Sequence, residues 1–346
     1  MKRADLGWLL AMGCGLACAQ NTPDYLAELS PYVAPAAVAA MAGPIRVWGN
    51  PYIPELVQAW QQGFRRQHPQ AEFQTRLKGT EAAMAGLYGG IADVVFIGRE
   101  AYRAELQAFE EWFGYPPTCV KITSGSYATP HKTFALMVYV HKDNPLASIS
   151  LMQLDAIYGV ERRRGAPVAL RTWGDLGLTG PWAARPIHVL GYNFDTGMAG
   201  FFRLTVLRDS LRWNPELKDF DNGRTPAGEV INAGQYILNA VANDPLAIAY
   251  ANVQFENASV KRLALSEDMA QAPVEASIEN AWRRRYPLAR YSVACINRPP
   301  GQPVEPRLRE FLRYILSRDG MAAVVTDGAF LPLDATGVER ERRALD

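Results

Sequence analysis

Apolar positions along the chain switch between a period of two and a period near 3.6. Ile45-Arg46-Val47-Trp48 predicts a strand closed by the turn Gly49-Asn50, after which Ile53, Leu56, Val57, Trp60 and Phe64 recur at helical spacing. Asn50 stands where it can cap that helix, with Pro51 in the first turn. Residues 73–77 predict a second strand and 80–88 a helix. The unbroken apolar run 92–97 predicts a strand buried on both faces, as in a parallel sheet. Further strands are expected at 133–140, 187–190, 247–250 and 290–296. Further helices are expected at 150–158, beyond Thr196 with Met198, Phe201 and Phe202 on one face, at 234–242, and as one long segment over 307–325. Strand and helix alternate, which is the α/β pattern, and 346 residues suffice for two domains of common size.

Two polar helix starts carry the most chemistry: Lys78-Gly79-Thr80-Glu81 and Phe194-Asp195-Thr196-Gly197. The first N–H groups of a helix have no partner within it, and the helix dipole adds partial positive charge there. An anion can be held at such an end without a charged side chain. Each start taken alone is also what an ordinary helix cap looks like. Two of them facing one cleft would make a ligand site.

The opening 1–19 reads as a secretory signal peptide. Lys2 and Arg3 begin it, an apolar stretch of small residues follows, and Ala17-Cys18-Ala19 fits a small-x-small cleavage site. Leu16-Ala17-Cys18 also resembles the end of a lipobox, in which case Cys18 would be a lipid-modified first residue. Either reading places the protein outside the cytoplasm, periplasmic or secreted, with 20–43 as a Pro- and Ala-rich leader. Basic and acidic residues balance, 36 against 35, and nothing in that balance points to nucleic acid. Of the four cysteines, Cys119 and Cys295 lie beyond the leader, and an exported location permits a disulfide between them.

An enzyme is the rival class, a secreted hydrolase in particular. His68, His131, His141 and His188 show no metal-ligand spacing and no nucleophile partner. Ser124-Gly125-Ser126 lacks the flanks of a nucleophile elbow, and no phosphate-cradling Gly-rich loop followed by Lys and Ser or Thr occurs. No cofactor, no metal and no catalytic residue is expected. Arg162-Arg163-Arg164 and Arg283-Arg284-Arg285 read as solvated turns.

Taken in order along the chain, several short segments resemble the phosphate-binding family of periplasmic solute-binding proteins that serve ABC transporters. They are Gly79-Thr80 at the family's Gly-Ser helix start, Gly89-Gly90-Ile91-Ala92-Asp93-Val94 before the third strand, and Trp173-Gly174-Asp175-Leu176. Thr196-Gly197 stands at the place of a Ser-Gly-Thr loop, and the closing run from Phe311 to Gly320 is followed by Phe330-Leu331-Pro332-Leu333. The resemblance implies two lobes, each an open, mostly parallel α/β sheet, joined by two crossing strands near 138–144 and 288–296. Lobe I would comprise 44–139 and 288–346, and lobe II 140–287. It also implies a monomer that clamps a small anionic ligand between the lobes and passes it to an ABC-transporter permease in the membrane. A binding protein that reports its ligand to a membrane receptor would look the same.

Departures from the family bear on the ligand. Tyr192 replaces an arginine, Met198 replaces a hydroxyl residue, Asp195 adds a negative charge, and Gly98-Arg99 leaves Arg99 as the cationic candidate. The expected ligand-binding set is therefore Asn50, Tyr52, Gly79, Thr80, Arg99, Tyr192, Asp195, Thr196 and Gly197.

Overall fold

Strand β1 (Ile45–Gly49) buries alternate residues, and helix α1 (Pro54–Gln67) follows it with Leu56, Val57, Trp60 and Phe64 turned inward. The helix starts later than predicted. Asn50 accepts the N–H of Tyr52 at 2.7 Å in a tight turn, so Ile53 precedes the first helical residue and Pro54 opens the helix with its preset φ.

The structure is a computed structural model that describes residues 24–35, 43–130 and 132–346. The signal peptide, Cys14, Cys18, part of the leader and His131 lie outside the described residues. After α1 come β2 (Phe73–Arg76), α2 (Thr80–Tyr88), β3 (Val94–Ile97), α3 (Arg103–Phe113) and β4 (Thr118–Thr123). Next are β5 (Met137–His141), β6 (Ser148–Ser150), α4 (Leu151–Tyr158), β7 (His188–Tyr192), α5 (Gly197–Thr205), β8 (Lys218–Phe220), β9 (Gly223–Arg224) and β10 (Val230–Ile231). The rest are α6 (Ala233–Asn243), β11 (Ala247–Ala251), β12 (Val260–Arg262), β13 (Ala264–Ser266), α7 (Ile278–Trp282), β14 (Ser292–Ile296), α8 (Pro306–Ile315), α9 (Arg318–Asp327) and α10 (Ala335–Arg343).

Two five-stranded sheets result, ordered β2-β1-β3-β14-β4 and β12-β5-β11-β7-β8. In the first, Val94 and Phe96 face the layer of α1, α8 and α9, while Val95 and Ile97 face α2 and α3, as the two-residue period of a strand requires. The second sheet has its own core, in which β5 and β11 are buried along their whole length. The α/β class and the two sheets stand as expected, but the sheets are mixed rather than mostly parallel. Each contains two parallel and two antiparallel pairings. The reason is connectivity: β14 returns from the second sheet and enters the first against the direction of β3, and β5 enters the second against β11.

The chain leaves the first sheet after Thr123 and enters the second at Met137, so the expected boundary at 139/140 falls inside β5. Ser124-Gly125-Ser126 lies in this crossing. Its backbone bonds to Leu331, Thr133 and Ala135, and Gly125 holds φ +68° where a Cβ would meet two carbonyl oxygens. The predicted long C-terminal helix is two helices. Ser317 caps the second by accepting from Gly320 N–H, and Gly320 packs so closely on the Ile315 carbonyl that no Cβ fits. Cys119 and Cys295 are directly opposite on β4 and β14 and form a disulfide.

Candidate functional site

Strands β1 and β3 lie side by side and parallel, and the chain beyond their carboxyl ends opens the crevice where α/β sheets take ligands. Asn50 follows β1 and Gly98-Arg99 follow β3. Because β14 runs antiparallel with Val293 opposite Ile97, Arg290, two residues before it, falls at the same edge. Helix α2 points its first turn there from one side, and α5 from the second half of the molecule points its own there from the other. These residues line one cavity of about 350 Å³ with Tyr52, Lys132, Thr133, Met198 and Phe330.

Two helix starts therefore converge. Gly79 precedes α2 at φ +140° and ψ 155°, a conformation essentially closed to residues with a Cβ, and Thr80 behind it is buried. Gly197 opens α5, with Arg99 Cδ 3.9 Å from where a Cβ would stand, and the two halves meet beside it, where Arg290 reaches the Met198 sulfur. Thr133 donates to the Gly98 carbonyl at 2.5 Å. A side chain at position 98 would collide with the Asn50 amide and the Thr133 hydroxyl, so in this chain they fill that space.

The cations of the cavity differ in how fully they are engaged. Arg99 makes a two-pronged bond to Glu105 at 2.9 and 2.7 Å, reaches Glu81 at 3.0 Å and the Glu100 carbonyl at 2.8 Å, and lies on the Tyr102 ring. Burial alone would lower its pKa, but the bonds to Glu105 and Glu81 outweigh that and hold it above the ordinary value. The Lys132 ammonium donates to the Tyr52 carbonyl. Arg290 is fully buried. It meets Glu100 at 2.9 Å and the Met198 sulfur at 3.4 Å, and its guanidinium lies 4.8 Å from the centre of the Phe201 ring.

Of the residues expected from the sequence, the structure brings Asn50, Tyr52, Gly79, Thr80, Arg99 and Gly197 together at this cavity and keeps three away from its lining. Tyr192 packs in the second core, its ring centre 5.7 Å from that of Tyr250, and burial pushes its hydroxyl pKa up. Asp195 is exposed and faces a separate groove with Phe194 and Arg203. Thr196 spends its hydroxyl as a cap, accepting from Ala199 N–H at 3.2 Å and donating to the Asn193 carbonyl at 2.8 Å.

Arg290, Thr133, Lys132, Met198 and Phe330 were not among the expected residues. The signal for Arg290 was an arginine heading an otherwise apolar strand, whose direction the sequence did not reveal. Arg284, read from the sequence as solvated, is instead bonded to the carbonyls of Ala289 and Arg290 and stacked on Tyr291. Arg164, read the same way, holds the end of α5 through the carbonyls of Thr205 and Val206. Arg283 and Arg285 do pair at the surface, with Glu279.

Two α/β halves around a cleft to which both contribute helix starts define a two-lobed solute-binding protein. The profile of the PBP superfamily domain matches residues 34–319, and the chain belongs to that superfamily, in its phosphate-binding periplasmic type. It is 32% identical over 306 residues, 88% of either chain, to the phosphate-binding protein PstS of Pseudomonas aeruginosa. The fold is shared with PstS from Borrelia burgdorferi (14% identity, TM-score 0.54, 84% of this chain and 99% of that one). It is shared also with an ABC-type phosphate transport receptor from Vibrio cholerae (16% identity, TM-score 0.51, 84% and 100%).

Proposed function

We propose that this protein captures a small anion, phosphate or an oxyanion carried on a small organic group, in the cleft between its halves and delivers it to a membrane-embedded ABC transporter. The observation that carries the reading is the meeting of the α2 and α5 starts with two arginines in one cavity. A helix end contributes about 0.3 to 1 kcal/mol toward an anion, and about 2 when partly buried, so two ends and a cation must act together. The relative from Pseudomonas aeruginosa, named for phosphate binding, supports the same class of ligand. On this reading the protein works in the periplasm as a monomer, by binding rather than turnover. Its lobes divide at the crossings 124–136 and 289–291, and closure on the ligand is a hinge motion there.

Titration calorimetry against phosphate, sulfate, molybdate and a panel of phosphate esters and organic acids tests this. At least one anion is expected to bind with micromolar affinity or better. Gly197→Pro removes one N–H donor at a helix position that tolerates proline, behind Thr196 in the extended conformation that precedes proline readily. It should weaken binding about tenfold or more, the worth of one bond to a charged acceptor. Micromolar binding of a neutral sugar or a cation, untouched by Gly197→Pro, would overturn the proposal.

A further inference from the structure

A guanidinium has five N–H donors and no acceptor, so its partners can be counted. Arg99 meets oxygen acceptors four times through its terminal nitrogens and has the Tyr102 ring on its face, so its charge is already matched by Glu105 and Glu81. Arg290 is the opposite case. Its side chain is wholly shielded from solvent, yet among the described residues its polar contacts are one carboxylate oxygen of Glu100 and the weakly accepting sulfur of Met198. Its buried Nε has no partner among those residues. A buried charge with most of its donors unmatched is costly unless something else supplies the acceptors.

The backbone that carries Arg290 is also held in place. Arg284 donates at 2.7 Å to the carbonyls of both Ala289 and Arg290, and Gly125 lets that backbone approach so closely that a Cβ would stand 2.8 Å from the Arg290 oxygen. This is the fixed positioning a ligand contact needs. Arg290 sits in the wall of the same cavity as Thr80 and Gly197, and it touches Met198 and Phe201 of α5 across the cleft.

We propose that Arg290 is the cationic partner of the bound anion, taking the role that the sequence offered to Arg99. The assignment rests on the cleft being an anion site. The Arg290 side chain is covered by Met198 and Phe201 of α5, so an oxyanion reaches its Nε and free terminal N–H groups as the halves part, and accepts from them on one side and from the helix starts on the other. Because Arg290 lies in the second crossing between the halves and touches α5 of the second half, the anion's charge also bears on the contact between them. Glu100 competes with the anion for this guanidinium.

The test is titration calorimetry with phosphate, phenylphosphonate and benzoate on the wild type, Arg290→Met, Arg290→Lys and Glu100→Gln, with a urea melt of each. Arg290→Met should weaken the best-bound anion about thirtyfold or more, the usual effect of deleting a buried charge partner. Arg290→Lys should recover part of it, and Glu100→Gln should tighten binding several-fold by removing the competitor. A purely structural Arg290–Glu100 pair gives another pattern, in which Glu100→Gln lowers stability and leaves affinity unchanged or weaker. That result overturns the assignment even if Arg290→Met does not fold. A folded Arg290→Met that binds within twofold of wild type overturns it too. Wild type that binds none of these anions overturns the reading of the cleft itself.

Discussion

Gly79 has a conformation that almost only glycine adopts, and it sets the direction in which α2 offers its first N–H groups. Gly79→Ala should cost about 1 to 3 kcal/mol in a urea unfolding experiment, the usual strain of a side chain in this region. Anion affinity should fall with it, because the helix start moves. This residue, Thr80 and Gly197 were legible in the sequence, since a helix start is written in a few adjacent residues. Tyr192 and Thr196 were assigned to the ligand by their place in a motif, but one ring is drawn into a core and one hydroxyl is consumed by its own helix. Arg290 was illegible for another reason. Its place at the cavity depends on which way β14 runs beside β3, and no residue of that strand encodes its direction.

Strands β1 and β3 are tied where they begin as well as paired along their length. Asp93, just ahead of β3, accepts from the Arg46 backbone N–H at 2.8 Å and from its guanidinium at 2.5 Å. Burial would raise the Asp93 pKa, but the bonds from Arg46 outweigh it and hold the carboxyl below its ordinary value of 3.8. The sign follows: the folded state binds a proton less readily than the unfolded one, so the stabilisation is complete above the ordinary value and is lost as pH falls through the lower folded one. Urea midpoints measured from pH 6 down to pH 2 should therefore drop below about pH 4, and Asp93→Asn should be less stable at pH 6 with a shallower acid limb. The sequence marked Asp93 as part of an approach to a strand without revealing this partner, because an ion pair spanning two strands requires their register. Helix α2 matched its predicted bounds, since Gly79 and Gly89 bracket it. The C-terminal helix did not, because its break lies in contacts that no periodicity reveals, those of Gly320 with the Ile315 carbonyl and with the Trp60 indole.

The two halves have separate cores, and the second is inserted between β4 and β14 of the first. That there are two was legible from length and from the order of motifs, while the mixed direction of the strands was not, since it comes from how the chain re-enters each sheet. The Cys119–Cys295 bond closes the neck of this insertion, joining residues 176 apart in sequence whose Cα atoms are 4.0 Å apart. Its consequence is mechanical. A force applied to the two ends of the chain passes through the bond from β4 to β14 and bypasses everything between them, so the second half carries no load. In an optical trap, the oxidised protein should unfold to a contour length shorter than the reduced protein by about 600 Å, the reach of that many extended residues. Equal lengths would mean the neck is open. In reductant the hidden length should be released and the second half should unfold under tension for the first time.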